Sequence, residues 1–337
     1  MKIAIVSKLW EATEPESTGG TGAVAGYLVE ELVRRGHEVS LFATSDSRTS
    51  AQLIPGPGAA EFRKNYSEAQ EFLNISSAFD RRDNFDIIHC HNDYKSLFFG
   101  AASQTPSLHS VQYGEFFADE LAVFEKFKHL NFVGISQAIQ KMLPQLNWRG
   151  LVYNGLDTRR FSYQENKEDY LLFLGRLSPQ KGVSVAIQIA KRLNRRLLIA
   201  GKKSEQDAEY LRRQVDPFID GTKIKYMGEV GFDKKVDLLS RAACLLHPVN
   251  ILEAFGMTLI EAAACGTPVI AFDQGAIPEI IINGETGFIV NNEEEMVRAV
   301  GELKKISARN CRQRVENNFT AEKMAEGYEE IYRKLIA

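Results

Sequence analysis

The sequence predicts an α/β protein built of two doubly wound halves, and three observations carry that prediction. Short β-branched runs alternate with longer stretches of helical period, the pattern of βαβ units around a parallel sheet. The alternation stops near residue 157, passes a polar, aperiodic stretch over residues 157–169, and restarts at Tyr170. The length of 337 residues accommodates two domains at roughly 150 residues each. The expected division is residues 1–157, joined by a C-terminal helix over 320–337, and residues 158–319.

The chain opens on a strand, Lys2–Val6, which ends too soon to be the apolar core of a secretion signal, so the protein is expected to stay in the cytoplasm. A helix follows over residues 23–35. Val24, Leu28 and Leu32 with Ala25, Val29 and Val33 form its apolar stripe, Arg34 and Arg35 fall in the last turn, and Gly36 supplies the cap. Strands are expected over residues 38–43, 86–89 and 131–135. The second half reads as strand 170–174, helix 183–193, strands 196–200 and 223–227, helix 233–242, strand 244–248, helix 254–264 and strand 268–272. The last helix takes Thr320 as its N-cap and carries Met324, Tyr328, Ile331, Tyr332 and Leu335 on one face, a stripe that another element must cover.

Composition narrows the function. Lys and Arg number 41 against 44 Asp and Glu, a net charge of −3, and 44% hydrophobic with 25% charged residues is ordinary for a soluble enzyme. Nothing in that balance points to nucleic acid. No apolar run approaches the roughly 20 residues of a membrane-spanning helix. Across residues 61–85, Arg63, Lys64, Arg81 and Arg82 are offset by Glu61, Glu68, Glu71, Asp80 and Asp83, so at most peripheral membrane contact is expected. Cys90, Cys244, Cys265 and Cys311 are scattered, which suits reduced thiols better than a disulfide framework or a zinc site.

Three strand-to-helix segments carry chemistry. Gly175-Arg176-Leu177-Ser178-Pro179-Gln180-Lys181-Gly182 lies between the strand at 170–174 and the following helix. A glycine there lets backbone approach a ligand, and Arg176 and Lys181 suit a diphosphate, although two solvated cations beside a turn would look the same. Glu253-Ala254-Phe255-Gly256-Met257-Thr258 opens a second helix, whose first amides, near Phe255 to Thr258, favour an anion. Glu253 and Glu261 fall roughly on one side, where they would accept from sugar hydroxyls; the competing reading makes Glu253 a favourable N-terminal charge and Glu261 half of a buried ion pair. The third segment is Ser17-Thr18-Gly19-Gly20-Thr21-Gly22. With Gly26 and Asp46 it invites a dinucleotide reading and a competing oxidoreductase function, but residues 8–16 separate these glycines from their strand. His89, His91 and Asp93 alternate at a strand end, where a metal is weighed and set aside. His109 is expected to open a loop after Pro106.

Taken together, Gly175-Arg176, Lys181-Gly182 and Glu253 with Glu261 around Phe255-Gly256 resemble the donor site of the retaining glycosyltransferases of family 4, over nearly the whole chain. Supporting stretches are Gly19-Gly20, Arg35-Gly36-His37, Gly134-Ile135-Ser136, the segment from Val152 to Asp157, and the terminal helix. Ala254 departs from the family, which often has proline there. The resemblance implies a GT-B fold, two Rossmann-like domains facing each other across a cleft, and transfer of a sugar from a nucleotide-diphosphate sugar to a hydroxyl of a carbohydrate or glycolipid acceptor. UDP-glucose is the first choice of donor and GDP-mannose the second, with polysaccharide assembly as the setting; a non-catalytic sugar-nucleotide binding protein is the other alternative. By similarity, Arg176 and Lys181 bind the diphosphate, Glu261 the ribose and Glu253 the transferred sugar. Gly175 and the backbone of Phe255, Gly256, Met257 and Thr258 lie nearby, and Gly19 and Gly20 border donor phosphate and acceptor. His109 sits close to the reacting sugar. No cofactor and no metal are expected, because Arg176 and Lys181 take the part of a divalent ion. Phe116, Phe117, Leu121 and Phe124 either line an acceptor groove, touch lipid, or belong to the core, and their helical spacing favours the core.

Overall fold

The computed structural model describes residues 1–17, 19–56 and 67–337; Thr18 and, among the charges weighed above, Glu61, Arg63 and Lys64 lie outside the described residues. The chain divides into two compact units, residues 1–157 with 319–337 and residues 158–318.

The first unit is a seven-stranded parallel sheet in the order β3-β2-β1-β4-β5-β6-β7. Its strands are β1 (Lys2–Val6), β2 (Glu38–Ala43), β3 (Gln52–Pro55), β4 (Ile87–Cys90), β5 (Ser107–Val111), β6 (Phe132–Gly134) and β7 (Trp148–Leu151). Its helices are α1 (Gly20–Arg34), α2 (Glu68–Asp80), α3 (Leu97–Gly100), α4 (Ala118–Lys126) and α5 (Gln137–Met142). Strands β1, β4 and β5 are buried almost throughout, histidines included, because a parallel sheet is covered on both faces. The apolar stripe of α1 is buried from Val24 to Leu32, with Val33 half-buried, and Gly36, at φ +87°, ends it as expected. Strand β5 is a correction, since the loop expected to begin at His109 is the middle of a strand. The four aromatic and aliphatic residues expected in the core divide: Phe124 is buried, while Phe117 is 78% exposed and Leu121 is exposed beside it.

The second unit is a six-stranded parallel sheet, β10-β9-β8-β11-β12-β13. It contains β8 (Tyr170–Leu174), α6 (Val183–Leu193), β9 (Arg196–Ala200), α7 (Ala208–Gln214), β10 (Ile224–Tyr226), α8 (Phe232–Arg241), β11 (Cys244–His247), α9 (Met257–Ala264), β12 (Val269–Phe272), α10 (Ile277–Ile280), β13 (Gly287–Val290), α11 (Glu293–Gly301) and α12 (Ala308–Asn318). Its core packs Leu171 and Phe173 of β8 against Ile187 of α6, Ile199 of β9 and Met296 of α11.

The chain then returns to the first unit in α13 (Ala321–Ile336), capped by the Thr320 hydroxyl, which accepts from the Lys323 amide. The stripe foreseen on this helix is covered there. Tyr328 and Tyr332 are buried, with Tyr332 Oη 2.7 Å from His89 Nδ1 and Tyr328 Oη 3.1 Å from Ser110 Oγ. Glu329 of the same helix takes Arg35 Nε at 2.6 Å and His37 Nε2 at 2.9 Å, which fixes the helix to the end of α1. Among the described residues, no helix is long and apolar enough to cross a membrane.

Candidate active site

Open parallel sheets bind ligands at the carboxyl ends of their strands, where the strand order reverses. In the second unit that point lies between β8 and β11, and the two predicted loops meet there. Lys181 Nζ lies 2.9 Å from Glu253 Oε2, and His247 Nε2, from the last residue of β11, lies 3.2 Å from the same oxygen. Burial disfavours ionised Glu253, but the hydrogen bond from His247 and the Lys181 charge outweigh it and hold the carboxyl down at about 2. The carboxylate therefore aims the Lys181 ammonium. Arg176 is exposed on the same loop, and among the described residues its guanidinium enters no ion pair.

Backbone geometry explains why these side chains converge. Gly182 has φ +72°, and a Cβ there would stand 2.1 Å from the Pro248 carbonyl oxygen, so only glycine lets the β8 loop press against the end of β11. Gly275, which sequence reading did not single out, plays the same part for Glu253: at φ +58° its absent Cβ would lie 2.3 Å from the Glu253 carbonyl oxygen, which accepts from the Ala276 amide at 2.9 Å. Gly256 is the N-cap of α9 and offers no side-chain cap, so the amides of Met257 and Thr258 are left to other partners. Phe255 beside it is buried. A groove of about 740 Å³, lined by Pro179, Gly182, Ser184, Tyr210, Pro248 and Phe272 among others, borders the loop.

Glu261 has a different partner. It is buried in α9 with Oε1 2.6 Å from Lys235 Nζ of α8, so the ion-pair reading describes its present state. His247, Lys235 and Gly275 are the residues sequence reasoning missed. A histidine closing an apolar strand just before Pro248 was a usable signal; for Lys235 and Gly275 none existed, because their partners come from other elements.

In the first unit two expectations change. His109 is buried in β5, with Nδ1 2.9 Å from Ser96 Oγ and Nε2 3.0 Å from Ser107 Oγ, and burial pushes its imidazole down to about 3. Its ring nitrogens are thus engaged inside the fold, not presented by a loop. The glycines before α1 face an internal carboxylate: Glu11 Oε1 accepts from the Gly22 amide at 2.9 Å, and a Cβ on Gly19 would collide with Glu11. Gly20 begins the helix itself. Glu11 thus stands against the start of α1, beside Gly19. The long segment between β1 and α1 also excludes the tight turn of a dinucleotide fingerprint. His89 is held by Tyr332 and, at 2.7 Å, Ser110, as a structural histidine.

Two Rossmann-like parallel sheets, the second carrying a cation pair and a carboxylate at its switch point, have the architecture of the GT-B class. Solved structures agree in fold: sucrose-phosphate synthase of Thermosynechococcus elongatus matches at TM-score 0.83 with 20% identity over 99% of each chain, and Anabaena HepE in complex with UDP and glucose at TM-score 0.77 with 18% identity over 99% of this chain and 100% of that one. Residues 157–321 match the family model for glycosyl transferases group 1, and residues 18–160 that for glycosyltransferase family 4. An uncharacterised glycosyltransferase of Methanocaldococcus jannaschii is 27% identical over 84% of both chains. The chain belongs to the group 1 glycosyltransferases.

Proposed function

We propose that the protein transfers a hexose, with retention, from a nucleotide-diphosphate sugar of the UDP-glucose type to a hydroxyl acceptor, without a metal ion. The Lys181–Glu253–His247 cluster at the switch point of the second unit carries this reading. Cleavage of a sugar–diphosphate bond leaves negative charge on phosphate oxygens, and cations fixed before the reaction stabilise that charge most in the transition state. Lys181, aimed by Glu253, and the exposed Arg176 meet that need, with the amides of Met257 and Thr258 as further donors. Glu253 also takes the transferred sugar, as the family resemblance implies. Glu261, steadied by Lys235, offers its second oxygen to the ribose. In front-face transfer the departing phosphate takes the acceptor proton, so no protein nucleophile is required. HepE, whose structure holds UDP and glucose, supports UDP-glucose as first choice of donor. By resemblance, the setting is polysaccharide or glycoconjugate synthesis.

The test is a thermal-shift panel of UDP, GDP and their sugars in EDTA, since a ligand that binds only the native state raises its stability. UDP and UDP-glucose are expected to raise Tm for the wild-type protein and to fail with Lys181→Ala. Binding that appears only on adding Mg²⁺ or Mn²⁺, or that survives the substitution unchanged, overturns the assignment.

A further inference from the structure

The segment that opens the second unit, residues 158–169, is tied to the helices behind it by Lys167. The Lys167 ammonium donates to the Ser240 carbonyl at 2.8 Å, the Cys265 carbonyl at 3.0 Å and the Thr267 hydroxyl at 2.9 Å. That hydroxyl passes its own hydrogen to the Leu239 carbonyl at 2.5 Å. Leu239 and Ser240 belong to the last turn of α8, and Cys265 closes α9. One side chain thus joins the C-terminal ends of two helices, where carbonyls lack helical partners and a cation is favoured. An ammonium has three hydrogens for these three acceptors; the neutral amine has two and must release one.

Just beyond this clamp stands the pair assigned to the donor ribose. Glu261 lies one turn before Cys265 in α9, Lys235 a little more than one turn before Ser240 in α8, and the two meet at 2.6 Å. Helices are stiff over so short a length, so the spacing of their ends sets how Glu261 is presented. The other groups around the ammonium are settled. Burial pushes the thiols of Cys265 and Cys311 up to about 12, which keeps them neutral. Arg312 of α12 donates to the Ala264 and Phe161 carbonyls and pairs with Glu316, and Arg241 at the end of α8 pairs with Glu168 and Asp237. The Tyr170 hydroxyl donates to the Leu238 carbonyl, and that of Tyr163 to Glu165. The three acceptors of Lys167 are uncharged, and burial pushes its ammonium down to about 8. A base held below its unfolded value costs stability while protonated, and the cost is recovered as pH rises above the folded value. The charge is therefore kept at the expense of the fold.

We propose that Lys167 is a positioning residue for the donor: by clamping the ends of α8 and α9 it holds Glu261 in the orientation that takes the ribose. This rests on the ribose reading of Glu261 given above and adds a residue that acts through it.

Calorimetry on the full chain in EDTA, with UDP and 2′-deoxy-UDP as probes, tests the proposal. At about pH 7.5 the wild type is expected to prefer UDP by about tenfold, the size of a hydrogen bond to a charged group. Lys167→Met should cut that preference below about threefold, and Lys167→Arg, which keeps the cation, should retain it. The preference should also shrink in the wild type as pH is raised from about 7 to about 9 and stay constant in Lys167→Arg, a comparison that holds even where the Met variant does not fold. A clamp serving stability alone would lower Tm and weaken both nucleotides alike. An unchanged preference in folded Lys167→Met, equal weakening of the two nucleotides, or a wild-type preference independent of pH would each overturn the proposal. No preference for UDP in the wild type at about pH 7.5 would instead overturn the ribose assignment of Glu261 on which it rests, and no UDP binding at all the donor assignment.

Discussion

Each unit places a lysine after its first strand, and a histidine and a carboxylate at or after the strand across the switch point: Lys181, His247 and Glu253 in the second, Lys8, His91 and Asp93 in the first. The second adds an exposed arginine and a helix start with no side-chain cap, so positive charge exceeds negative. The first caps its helix with Glu11 and, among the described residues, leaves its histidine side chain without a hydrogen-bond partner. One topology therefore carries two different sets of loop side chains at the corresponding strand ends. The scaffold sets where a ligand goes, and the local charge balance sets which ligand it is.

The contrast breaks first at Lys181. Lys181→Ala should lower turnover by about 10²–10³, or about 3–4 kcal/mol in barrier, with the fold intact, because the cation answers diphosphate charge that grows further in the transition state; a near-normal rate in a sugar-transfer assay would erase the distinction. Next in size is Gly182→Ala, which forces a Cβ against the Pro248 carbonyl in a left-handed backbone and should cost about 1–3 kcal/mol of stability, read by chemical denaturation.

The acid response sharpens the comparison further. The Arg35 hydrogen bond, opposed by burial and helped by His37, holds the Glu329 carboxyl at about 2, below its ordinary value. A depressed carboxyl contributes stability above its unfolded value, and loses it as pH falls toward the folded one. Wild-type Tm should therefore drop between about pH 4.5 and 2. Glu329→Gln should be less stable at pH 7 and show a shallower acid slope, the part carried by Glu253 in the second unit remaining. A slope identical to that of the wild type would sink this account. The smallest kinetic effect is expected at His109. His109→Asn should cost about 1–2 kcal/mol of stability from its two serine partners, yet change kcat by less than about threefold; a large kcat loss in a folded variant would return His109 to the reaction.

Much of this was legible in advance where the signal was local. The apolar stripe of α1 ending at Gly36, the Thr320 cap, and the loops bearing Lys181 and Glu253 all follow from spacing within a few residues. His109 was misplaced because β5 is a short strand whose Ser-Leu-His-Ser pattern is only half apolar, and its burial depends on α13 and α3 covering it. Phe117 and Phe124 share a helical period, yet only the second faces the sheet.

Sequence by itself determined the α/β class, the two-unit division and the loops that hold the chemistry, since periodicity and turn residues act between near neighbours. Tertiary structure alone decided who meets whom: Glu253 with His247, Glu261 with Lys235, Glu11 with the start of α1, and Lys8 with Asp93. In a parallel sheet, strands joined by crossovers pair in an order the chain does not announce. The partner of a buried charge is set by that order, because desolvation leaves it only the neighbours the fold supplies.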